Sequence, residues 1–293
     1  MSMQMTLAKW MLKRRGQIMG PDFNVETLRE NTENFSRWLP VVKNVKFKTE
    51  SLAGHESELA DPGTPREDAI IVHIHGGGFV SGSAKSSRSF TALLAKQANS
   101  KVFSLDYRLA PEHTFPAAVN DCFEQYHDLV NQYPERKIVL IGESAGGMLV
   151  IAIALIARDR GMKAPACVVA NAPGADLTRD VDRPKMNDTD LILSHQAIKK
   201  VGELYCPEGA KNPYASPRFA DYHDFPPLRI VWDAGEHLSF DCRILAKKAR
   251  QSGVIVEQKE YQNAFHAFQI LGKLLPEAKK DMQMSIAFME KYL

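Results

Sequence analysis

The fold is decided by residues 137–147, KIVLIGESAGG, in which a short apolar run leads directly into a Gly-x-Ser-x-Gly motif. Residues that favour a helix follow the motif, so we expect a strand-to-helix turn at Ser144. This context is typical of a nucleophile elbow, which holds a serine hydroxyl up into solvent on a strained turn. Glycines flank Ser144 because such a turn brings the chain closer to its neighbours than a Cβ atom permits.

A glycine-rich motif ends an earlier apolar run and fits the same chemistry. The run Ala69–Ile74 leads into HGGGF at residues 75–79. Backbone amides of such a glycine run, with the amide of the residue after the nucleophile, form the oxyanion hole of acyl-transfer hydrolases. Together the two motifs predict acyl transfer from a serine.

The composition permits this prediction and argues against several other classes of protein. The chain has 293 residues, 44% of them hydrophobic, enough for one large α/β domain or two smaller ones. Its 37 Lys and Arg against 35 Asp and Glu give a net charge of +2, so we expect no nucleic-acid partner. No apolar run approaches the roughly 18–20 residues of a membrane span, and no secretory signal is evident, so we expect no stable membrane anchor.

Cysteine usage favours a reducing compartment. The four cysteines form neither a Cys-x-x-Cys pair nor a dense framework, since they stand far apart at Cys122, Cys167, Cys206 and Cys242. Metal sites and disulfide bonds are therefore poorly supported. We expect reduced thiols, no metal ion and a cytoplasmic location.

Short apolar runs alternate with stretches of helical periodicity along most of the chain. The runs are rich in Val, Ile and Leu, as parallel strands covered on both faces are. Their order predicts repeated β-α-β units and a mostly parallel, doubly wound α/β sheet. The predicted strands are Ala69–Ile74, Val102–Leu105, Lys137–Ile141, Cys167–Ala170, Leu228–Trp232 and Val254–Glu260, with an antiparallel edge hairpin of Val41–Glu50 and Glu56–Ala60. The predicted helices are Ser86–Ala98, Pro116–Val130, Ala145–Arg160 and Asp241–Ser252.

Two segments fall outside this alternation, residues 1–40 and 177–214. Both read as helix with polar loops beside the strand ends that would carry the site, so we expect them to form a helical cap. The core would then consist of residues 41–176 and 215–293. The basic stretch Trp10–Arg15 is also compatible with a membrane surface, but amphipathic helices usually cover a core, and the cap is favoured.

A histidine and a carboxylate are expected downstream of the serine. His266 directly follows the last predicted strand, where a neutral imidazole would take the Ser144 proton and return it to the leaving group. Three carboxylates, Asp233, Glu236 and Asp241, crowd the loop after the next-to-last strand, and we choose Glu236 as the partner of the histidine. Asp233 lies close to the strand, and Asp241 opens the next helix, where a carboxylate caps amides. Spacing alone leaves Asp241 open as an alternative.

The histidines near these motifs are predicted to be structural. His75 would orient the glycine loop, His73 lies within a predicted strand, and His237 stands beside the candidate acid. Their positions do not match that of a base that follows the last strand.

Four motifs in order resemble those of the bacterial hormone-sensitive-lipase-like esterases, also called family IV, of the α/β-hydrolase superfamily. They are HGGGF at 75–79, YRLAPE at 107–112, GESAGG at 142–147 and the turn around His266. The resemblance runs from about residue 45 to the C-terminus. It implies an α/β-hydrolase fold with a cap built from the N-terminal segment and an insertion before the later strands.

The resemblance also assigns roles. It makes Ser144 the nucleophile and His266 the base, and it makes the amides of Gly76, Gly77 and Ala145 the oxyanion hole. The segment Tyr107–Glu112 becomes structural, with Arg108 and Glu112 bracing loops around the site. In the segment 171–178, which resembles a Ser-Pro-Trp-x-Asp-Leu pattern of the family, Asp176 becomes a structural cap.

Two departures from the family pattern matter. Glu143 stands where the family usually has Asp or Thr, and we expect this change to tune selectivity more than to abolish chemistry. The acid usually stands in Asp-Pro-Leu, and matching Leu238 to that Leu and Gly253 to a later Gly puts Glu236 at the acid position. A glutamate there must reach with one extra methylene.

The sequence therefore predicts a serine carboxylesterase for short-chain acyl esters that works through an acyl-enzyme on Ser144. The resemblance implies neither a metal nor an organic cofactor, and it makes a homodimer possible. An amidase, thioesterase or deacetylase with the same residues stays open, as does a non-catalytic small-molecule-binding protein on the same fold. No long exposed apolar lid helix of the kind found in interfacial lipases is evident.

Overall fold

Eight strands in the described part of the chain form one sheet. The computed structural model describes residues 1–178, 189–208 and 211–293. The strands are β1 (Lys46–Leu52), β2 (His55–Asp61), β3 (Ala69–Ile74), β4 (Lys101–Leu105), β5 (Lys137–Glu143), β6 (Cys167–Asn171), β7 (Leu228–Asp233) and β8 (Val256–Tyr261). Their spatial order is β1-β2-β4-β3-β5-β6-β7-β8. The β1-β2 and β2-β4 pairs are antiparallel and the others parallel, which confirms the predicted sheet and its edge hairpin.

Helices cover both faces of this sheet. They are α1 (Met3–Arg15), α2 (Val25–Trp38), α3 (Arg88–Ala98), α4 (Ala117–Gln132), α5 (Ala145–Asp159), α6 (His195–Tyr205), α7 (Ser239–Gln251) and α8 (Pro276–Met289). Alternate side chains of β3 enter two different cores: Ile70 and Val72 pack with α4 and α5, whereas Ile71 packs with α3 and α8. Every residue of β3 is buried for this reason, and the strand reads as one apolar run. Within the described ranges, no helix is long and apolar enough to cross a membrane.

Several element ends differ from the predictions. The first strand begins at Lys46 and not at Val41, and α7 begins at Ser239, which places Asp241 in its first turn and not at its start. The helix Pro276–Met289 was not predicted, although proline at its first position is a usual start signal. Residues 179–188 and 209–210 of the predicted cap insertion lie outside the described residues.

The N-terminal segment lies against α6 and the loop before it. Met19 pairs with Leu193 as a short parallel bridge, and its amide donates to the Ile192 carbonyl at 2.8 Å. The Lys200 ammonium of α6 donates to the Phe23 carbonyl at 2.7 Å. The two segments that break the strand-helix alternation are therefore in direct contact.

Candidate active site

Ser144 stands on the turn between β5 and α5. Its backbone has φ 55° and ψ −118°, outside the usual regions for a residue with a side chain. The turn is held because its amide donates to the Asn171 carbonyl at 2.8 Å, and because β3 lies directly beneath it. A Cβ atom at Gly146 would lie 2.0 Å from the carbonyl oxygen of Ile74, so only glycine permits this approach.

The structure brings Ser144, His266 and Glu236 together in one hydrogen-bonded chain. Nε2 of His266 lies 2.9 Å from Oγ of Ser144, and its Nδ1 lies 3.2 Å from Oε2 of Glu236. Serine and histidine are 122 residues apart in the chain. They meet because β5 and β8 run parallel and their carboxyl ends reach the same edge of the sheet.

The contact to Nδ1 of His266 is made by Glu236, and the other two candidate acids, Asp233 and Asp241, have different surroundings. Oδ1 of Asp233 accepts from the Gly235 amide at 3.0 Å, and Oδ2 accepts from the Ala264 amide at 2.7 Å. Asp233 thereby ties the loop of Glu236 to the loop of His266. Asp241 is buried on α7 and lines the main cavity.

Asp190, which sequence reasoning missed, connects the segment before α6 to the loop of Glu236. Its Oδ1 accepts from the amides of Ile192 and Leu193, and its Oδ2 accepts from the amide of His237 at 2.9 Å. His237 directly follows Glu236, so this contact fixes the loop from the side opposite Asp233. A single aspartate in a polar segment carries no local signal of such a long-range role.

Burial and the charge of the partner residue shift the pKa values of Glu236 and His266 in opposite directions. Complete burial raises the pKa of Glu236, and the nearby His266 opposes the rise while Asp190 and Asp233 add to it. Burial lowers the pKa of His266, but the charge and hydrogen bond of Glu236 outweigh it, so the net shift is upward from 6.5. The carboxylate therefore holds the imidazole in place and favours its protonated form.

The three amides predicted to form the oxyanion hole differ in whether they already have a hydrogen-bond acceptor. The Gly76 amide donates to Oε1 of Glu143 at 2.8 Å. The amides of Gly77 and Ala145 have no hydrogen-bond acceptor among the described residues. Gly77 has φ +110°, and a Cβ atom there would lie 2.1 Å from the Ser81 carbonyl oxygen, so the loop conformation depends on glycine.

Glu143 belongs to a buried polar chain beneath the glycine loop. Its Oε2 lies 3.0 Å from Nε2 of His73, whose Nδ1 lies 2.9 Å from Oγ of Ser104. Burial tends to raise the pKa of Glu143, but His73 and the Gly76 amide outweigh it and the net shift is downward. The carboxylate is thus ionised and fixes the Gly76 amide from below.

The remaining motif residues brace the glycine loop. Nδ1 of His75 lies 2.7 Å from the Gly76 carbonyl oxygen, and Tyr107 stacks on the His75 ring at 4.3 Å while its hydroxyl donates to the His75 carbonyl. Arg108 pairs with the buried Asp121.

Arg29 of α2, which the sequence did not single out, links the N-terminal segment to this loop. Its guanidinium donates to the carbonyls of Val80 and Ala110 and forms a bidentate pair with Glu112.

Asp176 accepts hydrogen bonds from the backbone amide and the hydroxyl of Thr178. These contacts fit the structural roles expected for Glu112 and Asp176.

Comparison with known proteins places this arrangement in a family. The model of the α/β-hydrolase fold family matches residues 71–270. An acetyl-hydrolase of Streptomyces hygroscopicus is 32% identical over 76% of each chain, and an esterase of Acinetobacter venetianus is 30% identical over 86% of this chain and 84% of its own. A crystal structure of an esterase from the bacterial hormone-sensitive lipase family superposes with a TM-score of 0.92 at 29% identity, covering 100% of this chain and 99% of the other. The chain belongs to the hormone-sensitive-lipase-like esterases.

In this hormone-sensitive-lipase-like esterase a cavity of about 700 Å³ leads from Ser144 to the surface. Its wall is mainly apolar and comes from α1, α2, α6 and the segment after His266. The side chains nearest the surface include Leu7, Met11, Phe35 and Leu274. A molecule bound to Ser144 would therefore meet apolar surface on most sides.

Proposed function

We propose that this protein is a serine carboxylesterase that hydrolyses short-chain acyl esters through an acyl-enzyme on Ser144. The hydrogen-bonded chain from Ser144 through His266 to Glu236 is the observation that carries the proposal. His266 takes the hydroxyl proton as Oγ attacks the ester carbonyl carbon, and it returns that proton to the leaving alcohol. Water then attacks the acyl-enzyme with His266 again as base, which releases the carboxylic acid and regenerates the serine.

The negative charge on the carbonyl oxygen would be held by the amides of Gly77 and Ala145, which have no acceptor among the described residues. Ala145 begins α5, so the helix dipole adds to the stabilisation of an anion there. Gly76 would contribute only by sharing its amide proton between Glu143 and the oxyanion.

Residues 1–40 and 177–214 would act as the cap over a core of residues 41–176 and 215–293. The contacts of Met19 and Lys200 support this division for the described part of the second segment. The cap and the apolar cavity favour a small uncharged ester over a polymer. Several similar proteins are named esterase, acetyl-hydrolase or carboxylesterase.

Cytoplasmic location and a homodimer belong to the proposal. The four cysteines, all of them within the described residues, are buried and unpaired, which suits a reducing compartment. Size-exclusion chromatography with light scattering of the purified protein would test the dimer directly.

The proposal is tested with Ser144→Ala and p-nitrophenyl butyrate. We expect this variant to lose turnover and labelling by a fluorophosphonate probe while its circular dichroism and melting temperature stay unchanged. Ser51→Ala, at an exposed position of β1, is the control and should retain both. Full hydrolysis by Ser144→Ala would reject Ser144 as the nucleophile.

The bond that is cleaved needs a second measurement. The wild-type enzyme would be assayed with a matched butyryl ester, anilide and thioester. Ester hydrolysis at a far higher kcat/KM than anilide hydrolysis is expected, because an amine is a poorer leaving group and needs protonation by His266 at the right position. A preference for the anilide would favour the amidase alternative.

A further inference from the structure

Helix α1 carries apolar side chains on two opposite faces. Met5 is fully buried and packs with Phe265 and Phe268 of the His266 segment. On the other side, Met3, Leu7, Trp10 and Met11 follow helical spacing and are 86%, 56%, 50% and 58% exposed. The inner face explains why the helix docks, but nothing in the described structure covers the outer face.

The exposed apolar surface continues around the mouth of the cavity. Phe35 and Trp38 lie on one side of α2 and are 47% and 86% exposed, and Leu274 is 46% exposed. Lys273 donates to the Val41 carbonyl, which holds the segment of Leu274 beside the end of α2. We call this set the rim, and its members are Met3, Leu7, Trp10, Met11, Phe35, Trp38 and Leu274. Four of them, Leu7, Met11, Phe35 and Leu274, also line the cavity.

Positive charge flanks the α1 part of the rim. Residues 1–20 contain Lys9, Lys13, Arg14 and Arg15 and no Asp or Glu, so this segment carries +4 in a chain of net charge +2. The Arg14 guanidinium lies 4.3 Å from the Trp10 ring, within the outer apolar face. Residues 21–40, which include α2, carry four carboxylates against Arg29 and Arg37, so residues 1–40 together carry +2.

We propose that the rim docks reversibly on the surface of an anionic lipid aggregate, from which an ester passes into the cavity without crossing water. This proposal rests on the proposed function for the ester but not for the docking. A helix that presents large apolar side chains between cations binds at the boundary of headgroups and acyl chains, and nearby Lys and Arg strengthen binding to anionic lipid. The charge around the rim favours this occupant over a second copy of the same surface, because two such faces would repel each other.

Docking is tested with Ser144→Ala protein, so that hydrolysis plays no part in the readout. Trp10 and Trp38 are in the rim, whereas the third tryptophan, Trp232, is only 1% exposed. On addition of vesicles of phosphatidylcholine with phosphatidylglycerol, we expect a blue shift of tryptophan emission and co-sedimentation of the protein. Binding should be weaker with pure phosphatidylcholine and at high salt. Absence of both signals with the anionic vesicles would overturn the proposal.

Paired variants separate the apolar and the charged contributions. Met3→Gln with Trp10→Gln removes apolar contacts without a change of charge, and Lys13→Gln with Arg14→Gln removes charge; each pair should weaken vesicle binding by about tenfold or more. The controls are Ile255→Gln, an apolar residue 63% exposed at the amino end of β8, and Lys46→Gln with Lys247→Gln. The controls should bind as the parent does, and equal losses in test and control variants would contradict a specific surface.

Two further readouts distinguish the alternatives. In the active enzyme, the Met3→Gln, Trp10→Gln variant should hydrolyse dissolved p-nitrophenyl acetate as the wild type does and lose activity only on esters presented in anionic vesicles. If wild type fails on the dissolved ester but binds vesicles, the proposed function is wrong and the docking stands. If the rim variants instead convert a dimer to a monomer in sedimentation velocity and vesicles do not bind, the rim is an interface between copies and the docking proposal is wrong.

Discussion

The Glu236 carboxylate is fully buried and uses one of its two oxygens, Oε2, to meet His266. The other oxygen, Oε1, has no hydrogen-bond partner among the described residues. Burial with the negative charges of Asp190 and Asp233 nearby makes the ionised form costly, so the pKa of Glu236 is raised. The charge of His266 and its hydrogen bond oppose this rise, because both favour the ionised carboxylate.

The pH dependence of hydrolysis tests this pair. Only neutral His266 can accept the Ser144 proton, so kcat/KM should rise with pH through the raised pKa of His266, at a midpoint above 6.5. Glu236→Gln removes the group that raises this pKa and leaves the burial that lowers it. We expect the midpoint to move to lower pH and kcat/KM to fall by about 10²–10⁴-fold.

The matched control for this prediction is Asp241→Asn. It changes a buried carboxyl group in the first turn of α7, five residues after Glu236, without removing the contact to His266, so its pH midpoint should equal that of the wild type. If only Asp241→Asn loses hydrolysis, the acid has been assigned to the wrong residue.

Glu143 gives a second prediction at the residue scale. Glu143→Ala leaves the Gly76 amide and the His73 ring without their buried partner, at a cost of about 1–3 kcal/mol in the free energy of unfolding for each group. Glu143→Gln keeps an acceptor for the Gly76 amide, and its NH2 group can donate to the His73 ring once the ring carries its proton on Nδ1, so this variant should lose less. Urea unfolding of the two variants measures the difference, and equal losses would show that the carboxylate charge matters more than the hydrogen bonds.

The elements of the central sheet could be predicted from sequence because β3, β5, β6 and β7 are buried on both faces and read as apolar runs. The starts of helices were predicted less accurately. The helix predicted to begin at Asp241 begins at Ser239, because a carboxylate in the first turn and one at the N-cap give the same pattern in sequence. The roles of Arg29 and Asp190 could not be predicted, since their partners are long-range carbonyls and amides. The stretch Trp10–Arg15 was recognised as compatible with a membrane surface, but the extent of the outer apolar face of α1 was not, because apolar residues on both sides of a helix leave no single periodic stripe.

Arg29 should control how firmly α2 holds the glycine loop. Arg29→Met removes the hydrogen bonds to Val80 and Ala110 and the pair with Glu112, while it retains an apolar stem of similar length. We expect faster tryptic cleavage of the N-terminal segment and a higher KM, because the cavity wall is no longer fixed. Arg37→Met on the same helix is the control, since its closest polar contact, to Asn34, is long at 3.5 Å. Equal cleavage rates for the two variants would mean that Arg29 does not anchor the helix.

Across the whole molecule, the site depends on elements that are far apart in the chain and adjacent in the sheet. β5 supplies Ser144, β7 supplies the loop of Glu236, and β8 leads to His266, with β6 between the first two. Tyr261 ends β8, and its hydroxyl donates to Asp281 of α8 at 3.1 Å. The position of the base is therefore coupled to the packing of the last helix on the sheet.

A buried ion pair holds that helix, and its energetics form the last prediction. Arg229 of β7 and Asp281 of α8 have fully buried side chains and meet at 2.6 Å. Removing one partner, as in Arg229→Met or Asp281→Leu, leaves the other charge buried and should cost about 3–5 kcal/mol in the free energy of unfolding. The double variant should lose far less than the sum of the two single losses, because it replaces the ion pair by apolar surface.

The control is Lys291→Met, which breaks the surface pair with Glu257 and should leave the urea midpoint nearly unchanged. Additive losses in the double variant would show that the two side chains stabilise the fold independently and not as an ion pair.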